Sequence, residues 1–278
     1  MVGGREMNIR LSYVSFALLI GCVAWQAQAG VVMQQVERAI GSNQAGETVT
    51  IYMDAGKLRV EGANGGSPYL LIFDNAKQVM WMADLQKKTY MEITKAQVEQ
   101  MANQMQQMMA QMEQAMAQVP PAQRAMMEQM MKGRMGGMTA ALAITVRDKG
   151  ASDTVGQFSC KRYEILTNGQ VSSEVCAADP SQMNLDASAF ETFKALSEFY
   201  EPLRRIMPQM AASGGWSAPS AMDQINGFPV QTIRYEGGKP ASESVLQTFE
   251  ERAIDAAQFA LPSGLKKQEM PKMPQMGR

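Results

Sequence analysis

The sequence predicts an α+β fold: an antiparallel sheet, an inserted helical hairpin and one further long helix. Three observations carry this. Apolar and polar residues alternate with a period of two from residue 31 to about residue 93, and again beyond residue 141. Between those blocks the period becomes helical, and 12 of the chain's 26 methionines fall from Met101 to Met138. A second helical stripe follows the last two cysteines: Phe190, Phe193, Leu196, Phe199, Leu203 and Ile206.

Composition narrows the function. The 278 residues carry 26 Lys+Arg, 27 Asp+Glu and no histidine. Without histidine there is no Ser-His-Asp or Cys-His machinery and no histidine-ligated zinc. A net charge of −1 gives no electrostatic footprint for nucleic acid. The expectation is a non-enzymatic protein with no catalytic residue and no cofactor.

The first 29 residues read as an export signal. Arg10 precedes an apolar run from Leu11 to Trp25, and Ala27-Gln28-Ala29 fits the A-x-A cleavage pattern. The run is too short for a membrane span, so none is expected in the mature chain. Leu19-Ile20-Gly21-Cys22 offers an alternative, a lipobox that would anchor the protein through Cys22. Cleavage after Ala29 leaves one domain, residues 30–278, with 24 basic and 26 acidic residues. The protein is then expected in the periplasm or otherwise outside the cytoplasm. Only Cys160 and Cys176 remain, and an even count in an exported chain argues for a disulfide.

Each element has its own signal. Val49, Ile51 and Met53, then Leu58 and Val60, alternate with polar neighbours as half-buried strands do. Tyr69–Phe73 and Val79–Ala83 are continuously apolar, which predicts strands covered on both faces. Residues 54–56, 62–66 and 74–75 supply the turns, and Thr89–Ile93 closes the block. Thr94 with Gln97 forms a capping-box pattern. Met101, Met105, Met108, Met109, Met112 and Met116 then fall within a stripe about 100° wide. Pro120-Pro121 ends that helix and opens a second, which Gly133, Gly136 and Gly137 terminate. Residues 94–138 are thus an inserted methionine-rich hairpin.

Strands resume at Ala141–Arg147 and Val155–Leu166, with residues 148–153 read as the loop between them. Thr167-Asn168-Gly169 reads as a three-residue hairpin loop with Gly169 at the bulge. That register pairs residues whose numbers sum to 336, so Cys160 would stand directly opposite Cys176. A two-residue Asn-Gly turn would make the cysteines diagonal. Asp186 caps a helix to Met207, with Pro202 as a kink. A last hairpin runs Phe228–Tyr235, turn 236–240, Glu243–Arg252. Residues 258–267 close the domain and residues 268–278 read as a mobile tail.

Several strings resemble a known group. They are Gly56-Lys57-Leu58-Arg59-Val60-Glu61, Ile72-Phe73-Asp74 with Lys87-Lys88-Thr89-Tyr90, Cys160-Lys161-Arg162-Tyr163, and Phe259-Ala260-Leu261-Pro262-Ser263-Gly264. Together with the element order they resemble an uncharacterised exported bacterial domain-of-unknown-function family related to the periplasmic lipoprotein carriers (LolA/LolB-like). The resemblance implies a curved antiparallel half-barrel whose helices cover an apolar, acyl-binding face. It also implies a lipid or acyl ligand, or an envelope protein partner. The methionine hairpin is longer than a carrier's covering helix would be.

The candidate groove or lid residues are Met105, Met108 and Met112 on the hairpin and Phe190, Phe193 and Phe199 on the later helix. Methionine faces serve as ordinary packing, as pliable apolar binding surfaces, or as soft thioether ligands. A Cu(I) or Ag(I) site at Met105, Met108 and Met112 is therefore the weaker alternative, and a structural or interaction protein with a self-filled core is another. The carboxylates Glu61, Asp74, Glu250 and Glu251 read as solvated faces, and Cys160–Cys176 as a structural staple. Lys266-Lys267 and Arg204-Arg205 are too short as basic runs to attract a membrane or nucleic acid.

Overall fold

The computed structural model describes residues 30–117, 143–183, 187–206, 224–225 and 227–269. The strands are β1 (Gly30–Ala39), β2 (Glu47–Asp54), β3 (Lys57–Asn64), β4 (Ser67–Asp74), β5 (Val79–Asp84) and β6 (Thr89–Thr94). Helix α1 (Lys95–Ala117) follows, then β7 (Ile144–Val155), β8 (Phe158–Thr167) and β9 (Gln170–Ala178). Helix α2 (Ala187–Ile206), β10 (Phe228–Glu236), β11 (Lys239–Arg252) and β12 (Lys266–Gln268) complete the order.

Among the described residues all twelve strands join one open sheet, ordered β12-β6-β5-β4-β3-β2-β1-β11-β10-β9-β8-β7. Every pairing is antiparallel except β12 on β6. The first strand of the described chain lies in the interior of the sheet, between β11 and β2. The mostly antiparallel α+β sheet expected from the alternation is therefore present.

One face carries the main core. Val31, Met33, Ile51, Met53, Leu58, Val60, Phe73 and Met80 continue through Leu246, Val230, Cys176 and Cys160 into the same cluster. Val98 and Ala102 of α1 and Ala195, Phe199 and Leu203 of α2 seal it. The opposite face is covered in two places. Leu70, Ile72 and Ala83 meet Leu261 and Leu265. Tyr163, Ile165, Val175 and Ala177 meet Ile225. The apolar run at Tyr69–Phe73 thus arises because β4 is covered on both sides, and that at Val79–Ala83 because β5 is covered on both sides except at Met82, which is 40% exposed.

The helix start at residue 95 is as the capping pattern requires. The Thr94 amide donates to Gln97 Oε1 at 2.8 Å, and the Gln97 amide donates back to Thr94 Oγ1 at 3.3 Å. The second half of the expected hairpin, the Asp186 cap and the signal segment lie outside the described residues. Gln268, placed in the tail by the sequence, pairs with Met91, while residues 270–278 lie outside the described residues.

Three local expectations are corrected. Residues 148–153 are not the loop between β7 and β8; the chain turns at Gly156-Gln157, and Val155 pairs with Phe158. Lys149, Gly150 and Ala151 instead bulge out of β7 opposite Arg162 alone. The hairpin after β8 uses a two-residue Asn168-Gly169 turn, with φ of +52° and +80°, and pairs Thr167 with Gln170. Asn and Gly are the residues that tolerate two successive left-handed positions.

The third correction follows from the second. An extra residue, Ser172, shifts the register, so Cys160 faces Ala178 and Cys176 faces Arg162. Ser172 fills its bulge by donating its hydroxyl to the Ile165 carbonyl at 3.0 Å. The disulfide is therefore diagonal, with Cα atoms 5.4 Å apart. Right-handed twist shortens one diagonal of an antiparallel pair, which brings these cysteines within reach.

Candidate functional site

The helix-covered face is the first candidate. Helix α1 lies against α2, and α2 lies on the sheet. Phe199 is 1% exposed and meets the Phe73 ring edge-on at 5.4 Å. Its neighbour Tyr200 donates its hydroxyl to Met80 Sδ at 2.8 Å. Burial pushes the Tyr200 phenol up to about 12, so it stays a neutral donor. Phe193, Leu196 and Tyr200 are half-buried against the same core.

On α1 the gradient runs the other way. Val98 and Ala102 are buried, Met101, Met105 and Met108 are half-buried, and Met109 is 37% exposed. The side chains of Met112 and Phe190 lie outside the described residues. The structure therefore brings Met101, Phe193 and Phe199 to one apolar cluster, with Met105 and Met108 further along the same helix. Such a surface contributes apolar contact and polarisable sulfur, not acid–base chemistry. Among the described residues no three His, Cys, Asp or Glu side chains gather as a metal set. Thioethers are a different donor class.

The second candidate was missed by sequence reasoning. Arg162 stands opposite Cys176, and so does Gln231, which places both on the disulfide's face of the sheet. Arg162 donates to Asp153 Oδ2 at 2.8 Å, Glu174 Oε1 at 2.9 Å and Gln231 Oε1 at 3.1 Å. Gln231 donates on to Glu243, whose other oxygen accepts from Arg38 Nε at 2.6 Å. This line crosses six adjacent strands: β7, β8, β9, β10, β11 and β1. The β7 bulge aims Lys149 at Glu174 (3.0 Å) and Glu164 (3.6 Å), and Arg147 also pairs with Glu164. Four cations meet four carboxylates.

The electrostatics follow from those partners. Hydrogen bonding from Arg162 holds the Asp153 carboxyl below its ordinary 3.8. Hydrogen bonding from Arg147 does the same for Glu164, below 4.5. The network is closed on itself, so its chemistry is that of a clamp across an open sheet. One signal in the sequence pointed to it. Arg162 and Glu164 share the strand parity of the inward Cys160, and a charge at inward parity requires a partner.

The remaining charged residues are scattered. Glu61 pairs with Arg59, and Lys267 reaches Glu92 at 2.6 Å. Asp74 is buried and holds the Lys77 amide at 3.1 Å and ammonium at 3.0 Å. Burial pushes its carboxyl up, but the bonds from Lys77 outweigh that and leave it below 3.8. Glu250 lies 3.8 Å from Arg252. Glu251 borders a shallow cavity of about 230 Å³ with Gln157, Phe158, Gln182, Met183 and Phe249. The structure does not bring these carboxylates together. The side chains of Arg204 and Arg205 lie outside the described residues.

With this geometry in view, residues 94–265 match a family described as Domain of unknown function (DUF4412). The chain belongs to that family. The DUF4412 segment holds α1, α2, the disulfide and the whole ion line except Arg38, and it ends one residue before β12. No curated protein matches the chain. Among solved structures, an uncharacterised conserved protein from Thermus thermophilus is similar at 9% identity and a TM-score of 0.43. The alignment covers 88% of this chain and 92% of that one. PNGF-II is similar at 10% identity and TM-score 0.38, and this chain, 87% covered, spans 31% of it. The Pseudomonas aeruginosa MucA/MucB complex gives 9% identity and TM-score 0.35, covering 86% of this chain and 58% of that one.

Proposed function

We propose that this DUF4412 protein is an exported, non-enzymatic carrier-like protein for an apolar, acyl or lipid-like ligand. The ligand is held between α1, α2 and the covered face of the sheet, as in the lipoprotein carriers whose element order the sequence resembles. Export follows cleavage after Ala29, or anchoring through Cys22.

One observation carries this reading. The face of α1 changes from buried Val98 and Ala102 to half-buried Met105 and Met108, on a helix that lies against α2 with its half-buried Phe193 and Leu196. Flexible thioethers at a partly open apolar contact can re-pack around a chain of variable length. The test is direct. The mature protein, purified without detergent, is extracted with organic solvent and analysed by mass spectrometry, then titrated with a fluorescent fatty acid. Co-purifying lipid or saturable uptake, weakened in Met105→Asp/Met108→Asp, is expected. A protein that neither carries nor takes up the probe would sink the reading.

A second reading rests on Phe199. With 1% exposure and its ring against Phe73, it fills the space under α2 with the protein's own side chain. In that case the core is self-filled and the protein acts through its surface on an envelope partner. Absence of any apolar uptake favours it.

A further inference from the structure

Sulfur chemistry goes beyond ligand binding and does not depend on it. In residues 30–278 both cysteines are closed in the Cys160–Cys176 disulfide, so methionine is the remaining oxidisable sulfur. The methionines divide sharply by environment. Met33, Met53, Met80 and Met183 are 0–4% exposed in the sheet core. Met101, Met105 and Met108 are half-buried on α1, and Met109 is 37% exposed.

The composition of α1 makes that division consequential. Apart from Val98, every apolar side chain of Lys95–Ala117 larger than alanine is methionine. Past Ala102 the helix has no leucine, isoleucine, valine or aromatic residue to hold it on α2. Its docking thus depends on one residue type. Oxidation to the sulfoxide turns that side chain from apolar to polar at nearly constant size.

We propose that Met101, Met105, Met108 and Met109 form a methionine-oxidation site whose modification releases α1 from α2. The sulfur lone pair attacks a peroxide oxygen and the O–O bond breaks. The thioether becomes a sulfoxide, losing two electrons, and hydrogen peroxide leaves as water. The sulfoxide dipole then lies on the helix that packs against α2, where Met101 shares an apolar cluster with Phe193 and Leu196, and the desolvation cost favours the undocked helix. Lys95 and the Thr94–Gln97 cap keep the first turn in place, so release begins beyond Ala102.

The test uses the mature protein with its disulfide intact, treated with dilute hydrogen peroxide. Peptide mass spectrometry should find Met101, Met105, Met108 and Met109 oxidised at least about tenfold faster than Met33, Met53 and Met80. Hydrogen exchange should then show α1 amides losing about tenfold protection while β1 and β3 keep theirs. Methionine sulfoxide reductases acting on both epimers should restore it. Met82, 40% exposed on β5 and not on α1, should oxidise without that effect. A variant with Met101, Met105, Met108 and Met109 changed to leucine should keep protection in peroxide. Equal oxidation of the buried strand methionines would overturn the proposal. So would an oxidised α1 with unchanged protection, or loss of protection in the leucine variant.

Discussion

The Lys95 ammonium on α1 donates to the main-chain carbonyl of Glu198 on α2. That is the carbonyl whose helical donor would be the amide of residue 202, and residue 202 is proline. The carbonyl that Pro202 leaves open is thus answered from the neighbouring helix. Lys95 also reaches the Phe199 carbonyl at 3.3 Å and lies 5.9 Å from the Phe199 ring centre. One lysine therefore ties the start of α1 to the carbonyl that Pro202 leaves open in α2.

Lys95→Met should cost about 1 kcal/mol, the ordinary value of one such bond in a partly wet position. In a Pro202→Ala background residue 202 regains its amide, and the cost of Lys95→Met should shrink toward zero. Urea unfolding of the four proteins in a double-mutant cycle measures this. Equal costs in both backgrounds would show that Lys95 does not serve the open carbonyl.

The diagonal disulfide closes a loop of 16 residues across one hairpin. Chain entropy of a loop that size corresponds to about 3 kcal/mol. Cys160→Ala/Cys176→Ala should lower the unfolding free energy by that order and leave the strands folded. Urea midpoints of wild type with and without dithiothreitol give the comparison. A shift below about 1 kcal/mol would mean that the hairpin is held by its ladder alone.

The ion line sets a pH dependence. Asp153 and Glu164 lie below their ordinary 3.8 and 4.5 in the folded protein. As pH falls through that window, the unfolded chain takes up protons that the folded one refuses, so stability falls with pH. The contribution is complete above about pH 5 and lost once the folded carboxyls protonate. Arg162→Met removes the donor that holds Asp153, so the slope of urea midpoint against pH between 3 and 5 should flatten. An unchanged slope would place the acid sensitivity elsewhere, for instance at Asp84 or Glu92, which Lys87 and Lys267 hold low.

What the sequence made legible is local or periodic. The Thr94–Gln97 cap, the two-sided burial of Tyr69–Phe73 and the stripe of α2 each depend on residues within a few positions of one another. Short insertions broke the reading. Ser172 and Lys149–Ala151 shift register without altering the apolar pattern, so periodicity alone does not reveal the hairpin turn or the cysteine alignment. The β12 pairing was invisible because Lys266–Gln268 is short, exposed and joined to a strand far earlier in the chain. Arg162 stood in a string marked for its resemblance, yet its partner Gln231 lies 69 residues away. Parity places a charge on a face; only the strand order supplies its partner.

Backbone geometry gives two exchanges of opposite sign. Gly227 has φ +147°, and a Cβ there would lie 2.7 Å from the Ala178 carbonyl oxygen and 3.1 Å from Ala177 Cβ. Neither neighbour can swing away, because both belong to β9 beside the Ile225-covered cluster. Gly227→Ala should therefore cost about 2 kcal/mol or more, combining a left-handed backbone with a fixed clash. Ala55 is the reverse case: an alanine held at φ +45° in the turn between β2 and β3. Ala55→Gly relieves about 1 kcal/mol of left-handed strain and gives back part of it as unfolded-chain entropy. A net gain of a few tenths of a kcal/mol is expected. Thermal melts of the two variants should move in opposite directions from wild type. A shift of the same sign in both would mean that one of these two turns is set by something other than its backbone angle.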